Sequence, residues 1–243
     1  MMKRMAFLSV LIFILFALPL ASSAQDDAPS PFAGVYDISY VENDVTHPAT
    51  LIITESGGNY RVVWVFHQDG GVGVGIGLPL DDNHLAVASN GADEPLCSLN
   101  VLHMDDDGTL TGNWKSYFPW YGPLTMTPTG DSSDASPAGS FDVSYRLPPG
   151  NQISGTGNIR EVHDNIYNVT WDLQDVPNAA GVGFVAGDYF VSSTTEVGEQ
   201  NPANAAPSCG IEVFTLQEDG SIIGEWTGFG EREIGTETPV RIH

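Results

Sequence analysis

The residues of this chain that could carry out chemistry are mainly carboxylates near its end. Glu225, Glu231, Glu233 and Glu237 crowd the last 20 or so positions. Two such groups about 5–9 Å apart in a cleft could hydrolyse a glycosidic bond. Strand alternation predicts instead that alternate members of the set point to water. An exported carboxylate-dependent hydrolase is therefore an alternative, and a non-enzymatic protein is the leading hypothesis.

Other chemical motifs fail on their spacing. The acidic run 105–107 lacks the spaced acids and final Glu of an EF-hand calcium loop. The glycine-rich stretch 70–77 has no Gly-x-Gly-x-x-Gly pattern and no following helix, and the scattered histidines form no metal-binding pair. A Gly-x-Ser-x-Gly elbow for a serine nucleophile is absent. We expect no catalytic residue, no metal and no cofactor.

One aromatic cluster could bind a partner. Phe118, Trp120 and Tyr121 lie at a turn, and the matching turn in the second half of the chain, 229–232, has no Trp or Tyr. The rings could fold back to plug a barrel. They could also form a contact site, because exposed aromatics are typical of interfaces.

The element that must position any site is a strand that occurs twice. Tyr60 and Trp64 lie four residues apart in an alternating apolar run, and Tyr167 and Trp171 repeat this pattern. Alternate side chains of a strand point to the same face. These four aromatics are therefore predicted to face a core.

Five blocks of sequence recur in the same order, which indicates an internal duplication. One of them contains an Asp-Gly turn, which is followed by Trp114 in the first copy and by Trp226 in the second. Both tryptophans are predicted to be core residues, with Gly112 and Gly224 making room for their rings. The predicted boundaries are a signal peptide at 1–24, a flexible tail at 25–31, repeat 1 at 32–128, a linker at 129–136 and repeat 2 at 137–243.

The fold class predicted is all-β, with two tandem antiparallel β-barrels of about eight strands each. Turn signals recur at the spacing of about 8–12 residues that is typical of all-β folds. Each repeat can bury its own aromatic face, so each is expected to fold independently. Two β-sandwiches are the alternative. The strands expected in the first copy are 34–42, 48–56, 59–67, 72–79, 84–90, 97–105, 109–117 and 121–128.

Several motifs also resemble those of a largely uncharacterised family of small exported bacterial β-barrel domains, whose build is similar to the avidin/calycin barrel. They are Gly75-Ile76-Gly77-Leu78, Leu85-Ala86-Val87, the Asp-Gly-x-Leu-x-Gly-x-Trp run ending at Trp114, and Gly235-Thr236-Glu237-Thr238. The resemblance covers 32–128 and 137–242. It implies two barrels but no ligand residues, and the second copy departs from it where Phe190-Val191-Ser192 replaces Leu-Ala-Val.

The N-terminal sequence and the net charge limit the location and the partners of the protein. Lys3 and Arg4, an apolar run and a small-residue site ending at Ala24 predict a cleaved signal peptide and a secreted or periplasmic protein. A formal net charge of −23 argues against nucleic acid and anionic lipid as partners. The expected partner is a small molecule, a glycan or another protein, and no stable membrane insertion is expected after cleavage.

Cys97 and Cys209 occupy equivalent places in the two copies. In an exported chain they could form a disulfide, provided that both strand ends meet between the domains. They could equally be buried free thiols. The sequence therefore predicts a binding or docking protein of unknown ligand, with a hydrolase or a structural envelope component as alternatives.

Overall fold

The computed structural model describes residues 30–42, 45–91, 97–116, 120–130, 136–147, 150–174, 177–198 and 208–242. Within these ranges the chain is all β, and none of it forms a helix able to cross a membrane. The predicted signal peptide, the tail up to residue 29 and the centre of the linker lie outside the described residues. The strands are β1 (Gly34–Glu42), β2 (Val45–Ser56), β3 (Asn59–Phe66), β4 (Val72–Pro79), β5 (His84–Gly91), β6 (Ser98–Met104), β7 (Leu110–Ser116), β8 (Tyr121–Pro128), β9 (Gly139–Leu147), β10 (Asn151–His163), β11 (Ile166–Leu173), β12 (Asn178–Ala186), β13 (Tyr189–Gly198), β14 (Gly210–Leu216), β15 (Ile222–Gly228), β16 (Gly235–Glu237) and β17 (Val240–Arg241).

The all-β prediction is confirmed, and the eight strands expected in the first copy correspond one by one to β1–β8. The Asp-Gly turns also form as predicted. Gly108 has φ 79° and Gly220 has φ 82°, a left-handed conformation that glycine adopts at no steric cost. Alternation and turn chemistry are therefore sufficient to place the strands.

The strands pair into two sheets, and each sheet contains strands from both repeats. One is a closed barrel with the order β10-β11-β12-β13-β6-β7-β8-β9. The other, here called the curled sheet, has nine strands in the order β16-β15-β14-β5-β4-β3-β2-β1-β17. The repeats have thus exchanged their last strands, β6–β8 for β14–β17.

This exchange corrects the prediction that each repeat forms its own barrel. The predicted boundaries 32–128 and 137–243 separate the two copies in the sequence, but they do not separate the two sheets. Because β6–β8 and β14–β17 have matching patterns, the local pattern does not determine which sheet each set of strands completes. Only one of the two sheets closes fully along its length.

The sheets pack against each other through an apolar cluster from β4, β5, β6, β12, β13 and β14. Cys97 and Cys209 belong to this cluster and form a disulfide, with Cα atoms 5.9 Å apart. Each cysteine directly precedes an exchanged segment, β6 or β14. The disulfide therefore links the starts of the two exchanged segments, one of which belongs to the barrel and the other to the curled sheet.

The seam of the curled sheet is closed at one end only. In the barrel, β8 pairs with β9 from Leu124–Tyr145 to Pro128–Phe141. In the curled sheet the corresponding ladder is much shorter. It has only two residue pairs, Asp37–Val240 and Tyr36–Arg241, which join β1 to β17. Pro239 lies at the interruption between β16 and β17, and proline has no N–H to donate to a ladder. One end of the curled sheet therefore stays open beside β16.

Arg241 holds the closed end of this seam. Its guanidinium donates hydrogen bonds to the carbonyl oxygens of Pro31 and Ala33, at 2.7 and 2.8 Å, and to the hydroxyl of Tyr36 at 2.9 Å. It also lies 5.3 Å from the centre of the Tyr36 ring. The last strand thereby clamps the start of the described chain.

Candidate functional site

A cavity of about 640 Å³ lies inside the open end of the curled sheet. This curled-sheet pocket is lined by residues of β1, β3, β4, β5, β14, β15 and β16 and of the adjoining loops. Its lining is Ile38, Trp64, Phe66, Asp69, Gly73, Ser89, Asn90, Ser208, Cys209, Gly210, Ile211, Glu212, Trp226, Thr227, Gly228, Phe229 and Glu237. Its size falls within the range of about 300–1,000 Å³ that is typical of small-molecule sites.

Glu212 is the most buried charged residue of the wall, with 4 % of its surface exposed. It lies on β14, two residues before Phe214, which packs in the interior of the curled sheet. Ile211 and Val213 point the opposite way, into the interface between the sheets. The alternation of β14 therefore directs the Glu212 carboxyl into the pocket.

Glu237 reaches the same place from β16. It pairs in register with Gly224 of β15, which in turn lies opposite Phe214 on β14. A Cβ atom on Gly224 would collide with Oε1 of Glu212 and lie 2.9 Å from Cγ of Glu237. Gly224 therefore makes room for the two carboxyl groups, not for an indole ring as predicted.

Its counterpart Gly112 also has a different role from the one predicted. A Cβ atom there would collide with the backbone carbonyl oxygen of Val101. The glycine thus lets two neighbouring strands of the barrel approach closely. Gly122 lies beside the indole of Trp114: a Cβ atom there would collide with the carbonyl oxygen of Arg146 and would lie 3.3 Å from Nε1 of the ring.

The two carboxyl groups, here called the carboxyl pair, are hydrogen-bonded to each other. Burial raises the pKa of Glu212 well above its usual value, and the charge of Glu237 and the shared hydrogen bond act in the same direction. Burial raises the pKa of Glu237 to about 7, although its hydrogen bond with Glu212 opposes this. Protonated Glu212 therefore donates to Glu237, which changes its charge near neutral pH.

Apart from the hydrogen bond that the carboxyl pair shares, three buried polar atoms of the pocket have no hydrogen-bond partner: Oε1 of Glu212, Oε1 of Glu237 and Oγ1 of Thr227. A buried polar atom without a partner costs about 1–3 kcal/mol. Such atoms at the wall of a cavity can be satisfied by a ligand. The pocket therefore combines a mostly aromatic and aliphatic wall with a small number of convergent polar groups.

Trp226 corrects the prediction that this ring is core. It is 39 % exposed, whereas its counterpart Trp114 is 6 % exposed. Gly235 lies against the ring, so that a Cβ atom there would collide with it. Trp226 stays uncovered because the seam is open above it, and it forms a wall of the pocket with Trp64.

The matching positions of the closed barrel are filled. Asn100 takes the place of Glu212, and Leu124 takes the place of Glu237, as the strand registers show. Trp114 is covered by Tyr145, whose ring centre lies 5.3 Å away in an edge-on contact. Both rings pack in the barrel core. The barrel therefore has a packed interior where the curled sheet has a cavity.

The other predicted core aromatics are buried as expected: Tyr60, Trp64, Tyr167 and Trp171. Among the candidate binding residues, Trp120 and Tyr121 are each 50 % exposed and do not line the curled-sheet pocket. Tyr121 borders a second, smaller cavity of about 330 Å³ beside the turn at Gly57. Phe118 lies outside the described residues.

The carboxylates that were candidates for hydrolysis separate into two groups. Glu225, Glu231 and Glu233 are exposed, and only Glu237 points into the sheet. Its partner Glu212 was missed, because it stands in a repeated block that was interpreted as core packing. Nowhere in the described ranges do three His, Cys, Asp or Glu side chains form a group that could hold a metal ion.

A signal for the site was present in the sequence. The copies differ at the two positions that matter, where Asn100 and Leu124 are replaced by Glu212 and Glu237. Comparison of the two copies position by position, as for Trp120, would have singled out both glutamates. Their contact could not have been inferred, because it depends on the pairing of β15 with β16.

Scans of the chain against protein-family models, curated proteins and solved structures each found no match. The resemblance to the exported bacterial β-barrel family therefore stays a prediction.

Proposed function

We propose that this chain is an exported, non-enzymatic binding protein that holds a small ligand in the curled-sheet pocket. The observation that carries the proposal is the cavity of about 640 Å³, with a mainly apolar wall and unpartnered buried polar atoms that converge on it. Large apolar pockets with a few convergent polar groups are the usual form of a ligand site.

The wall indicates the body of the ligand. Trp64, Phe66, Trp226 and Phe229 offer aromatic surface, and rigid aromatic side chains give a large contact area at a low cost in conformational entropy. The ligand is therefore expected to have an apolar or aromatic body that enters through the open seam. Its polar end would lie against the carboxyl pair.

Export is supported by two features. The disulfide between Cys97 and Cys209 is of a kind that persists in oxidising compartments. The N-terminal sequence has the organisation of a signal peptide. A secreted or periplasmic location is therefore part of the proposal.

The carboxyl pair gives one reason to keep a hydrolase as the second candidate, because two acidic groups that share a proton can act as acid and base. Their spacing argues against a glycosidase. Hydrogen-bonded carboxyl groups leave no room for the sugar and water that need about 5–9 Å. Binding without turnover is therefore the better-supported function.

The proposal can be tested with Nile red, a neutral apolar dye whose fluorescence rises in apolar sites. We expect the purified mature protein to bind it, and Trp226→Ala to weaken this binding because the variant removes a wall of the pocket. Trp120→Ala is the matched control, since Trp120 is also an exposed tryptophan but lies outside the pocket.

The opposite pattern would contradict the proposal. If Trp120→Ala abolishes dye binding and Trp226→Ala does not, the binding surface is the Trp120-Tyr121 turn. If the protein does not bind the dye at all, the pocket is not an apolar ligand site.

A further inference from the structure

We propose that the ligand of the curled-sheet pocket carries a protonated amine, which the carboxyl pair holds while its apolar body lies against Trp64 and Trp226. This inference rests on the proposed function and specifies the chemistry of its ligand. The geometry behind it is a buried pair of acceptor groups at the wall of an otherwise apolar cavity.

The unpartnered atoms require a donor. Beyond the hydrogen bond that the two carboxyl groups share, buried Oε1 of Glu212 and Oε1 of Glu237 have no partner in the protein. Ionised Glu237 accepts hydrogen bonds and cannot donate them. A ligand that adds hydrogen bonds to the ionised carboxylate must therefore bring N–H or O–H groups, and a primary ammonium group brings three.

The acidic side chains that line the cavity favour a cationic ligand. The titratable residues of its lining are Asp69, Glu212 and Glu237, and no Lys, Arg or His is among the described residues that line it. On the bordering strands β3 and β15, Arg61 and Glu225 are exposed and are not part of the wall. An ionised carboxylate in a partly buried site is costly unless an opposite charge is paired with it. An anionic ligand would increase this cost, whereas an amine would remove it.

The aromatic wall fits the same ligand class. The faces of Trp rings attract cations, with an energy of about 0.5–2 kcal/mol according to how far the site excludes water. Trp64 and Trp226 line the cavity together with the carboxyl pair. The long-range field also favours cations, since the chain has a formal net charge of −23.

The pairing makes binding dependent on pH. The amine stabilises the ionised form of Glu237, whose pKa burial raises to about 7 in the free protein. Affinity should therefore rise as the pH increases through about 7 and fall below it, where the pair is fully protonated. Binding near neutral pH should release protons into the buffer.

Three probes of similar shape and different charge test the inference in the full mature protein. They are 2-phenylethylamine, 2-phenylethanol and phenylacetate, with affinities measured by isothermal titration calorimetry at about pH 8 and pH 5.5. A charge-assisted hydrogen bond is worth about 1.5–3 kcal/mol, so the amine should bind at least about tenfold more tightly than the alcohol at the higher pH. The anion should bind most weakly.

The variants Glu212→Gln and Glu237→Gln should each remove most of the preference for the amine over the alcohol. Glu225→Gln is the matched control, because Glu225 lies next to Trp226 on β15 but is exposed and outside the pocket. It should keep the preference. If one Gln variant does not fold, the other variant and the pH dependence of the unmodified protein still test the inference.

Equal affinity for amine and alcohol at pH 8, or a preference that both Gln variants retain, would overturn the inference and leave pocket binding standing. The inference is also wrong if Nile red binds and none of the three probes does. Failure of Nile red itself to bind would overturn the proposed function, and the inference with it.

Discussion

The closed barrel and the curled sheet are built from equivalent strands, yet one has a packed interior and the other has a cavity. In the barrel, the side chains of Leu124 and Trp114 pack in the core. In the curled sheet, Glu237 stands where Leu124 would be, and Trp226 forms a wall of the pocket instead of filling it. A few residue differences between the two copies thus distinguish a packed core from a candidate binding site.

The difference shows that the residues that specify the strands are not the residues that form the candidate site. The shared turns, glycines and aromatic strands specify the β-architecture in both sheets. The seam opens where Pro239 interrupts the ladder between β16 and β17, and the carboxyl pair lies beside this opening. Polar groups that would be costly inside a closed barrel can be kept where a ligand or water reaches them.

The largest expected contrast is between the two equivalent tryptophans. Trp114→Ala should lower the free energy of unfolding by about 3–5 kcal/mol, as is usual for buried aromatic residues. Trp226→Ala should cost less than about 1.5 kcal/mol, because that ring is 39 % exposed. Urea unfolding of both variants measures the difference. Equal losses would mean that the curled sheet is packed like the barrel.

The disulfide should have the next largest effect, because it holds the exchanged segments of both sheets. Its cysteines are 112 residues apart, and a bridge across so long a loop typically contributes about 2–4 kcal/mol. We expect the double variant Cys97→Ser with Cys209→Ser to lose stability in this range, measured by urea unfolding against the oxidised protein. An unchanged midpoint would show that the interface between the sheets holds the exchange without the bridge.

The third prediction restores the barrel residue in the curled sheet with Glu237→Leu. Since the folded pKa of Glu237 is raised from 4.5 to about 7, its contribution to stability is present below about pH 4.5 and is lost as the pH rises through 7. At pH 8 the variant should therefore be more stable than the unmodified protein by roughly 2–3 kcal/mol.

The advantage of Glu237→Leu should shrink towards pH 4.5, where the carboxyl group it replaces is protonated in both states. Thermal unfolding across this pH range measures the trend. Glu225→Gln serves as the control, because its side chain is exposed and on the same hairpin. A Glu237→Leu variant that is less stable at pH 8 would contradict the conclusion that burial of the Glu237 carboxyl group raises its pKa.

The strands and most of the core could be predicted from the sequence because they depend on local features. Alternation placed Tyr60 and Trp64 inside, and Asp-Gly turns defined the hairpins. The strand exchange could not be predicted, since the two sets of strands have the same local pattern and this pattern does not determine which sheet each set joins. The exposure of Trp226 was missed for a related reason. Its local pattern equals that of Trp114, and only the distant break at Pro239 leaves it uncovered.

The smallest expected effect concerns Trp120 and Tyr121, which are exposed as Trp226 is but lie outside the curled-sheet pocket. Changing both to Ser should alter the free energy of unfolding by less than about 1 kcal/mol, because exposed side chains contribute little to folding. Nile red binding should also stay unchanged if the pocket is the ligand site. A partner protein that docks on this turn would lose affinity, since aromatic side chains dominate such contacts. A large loss of stability would instead show that the two rings are part of the packing of the barrel and not a docking surface.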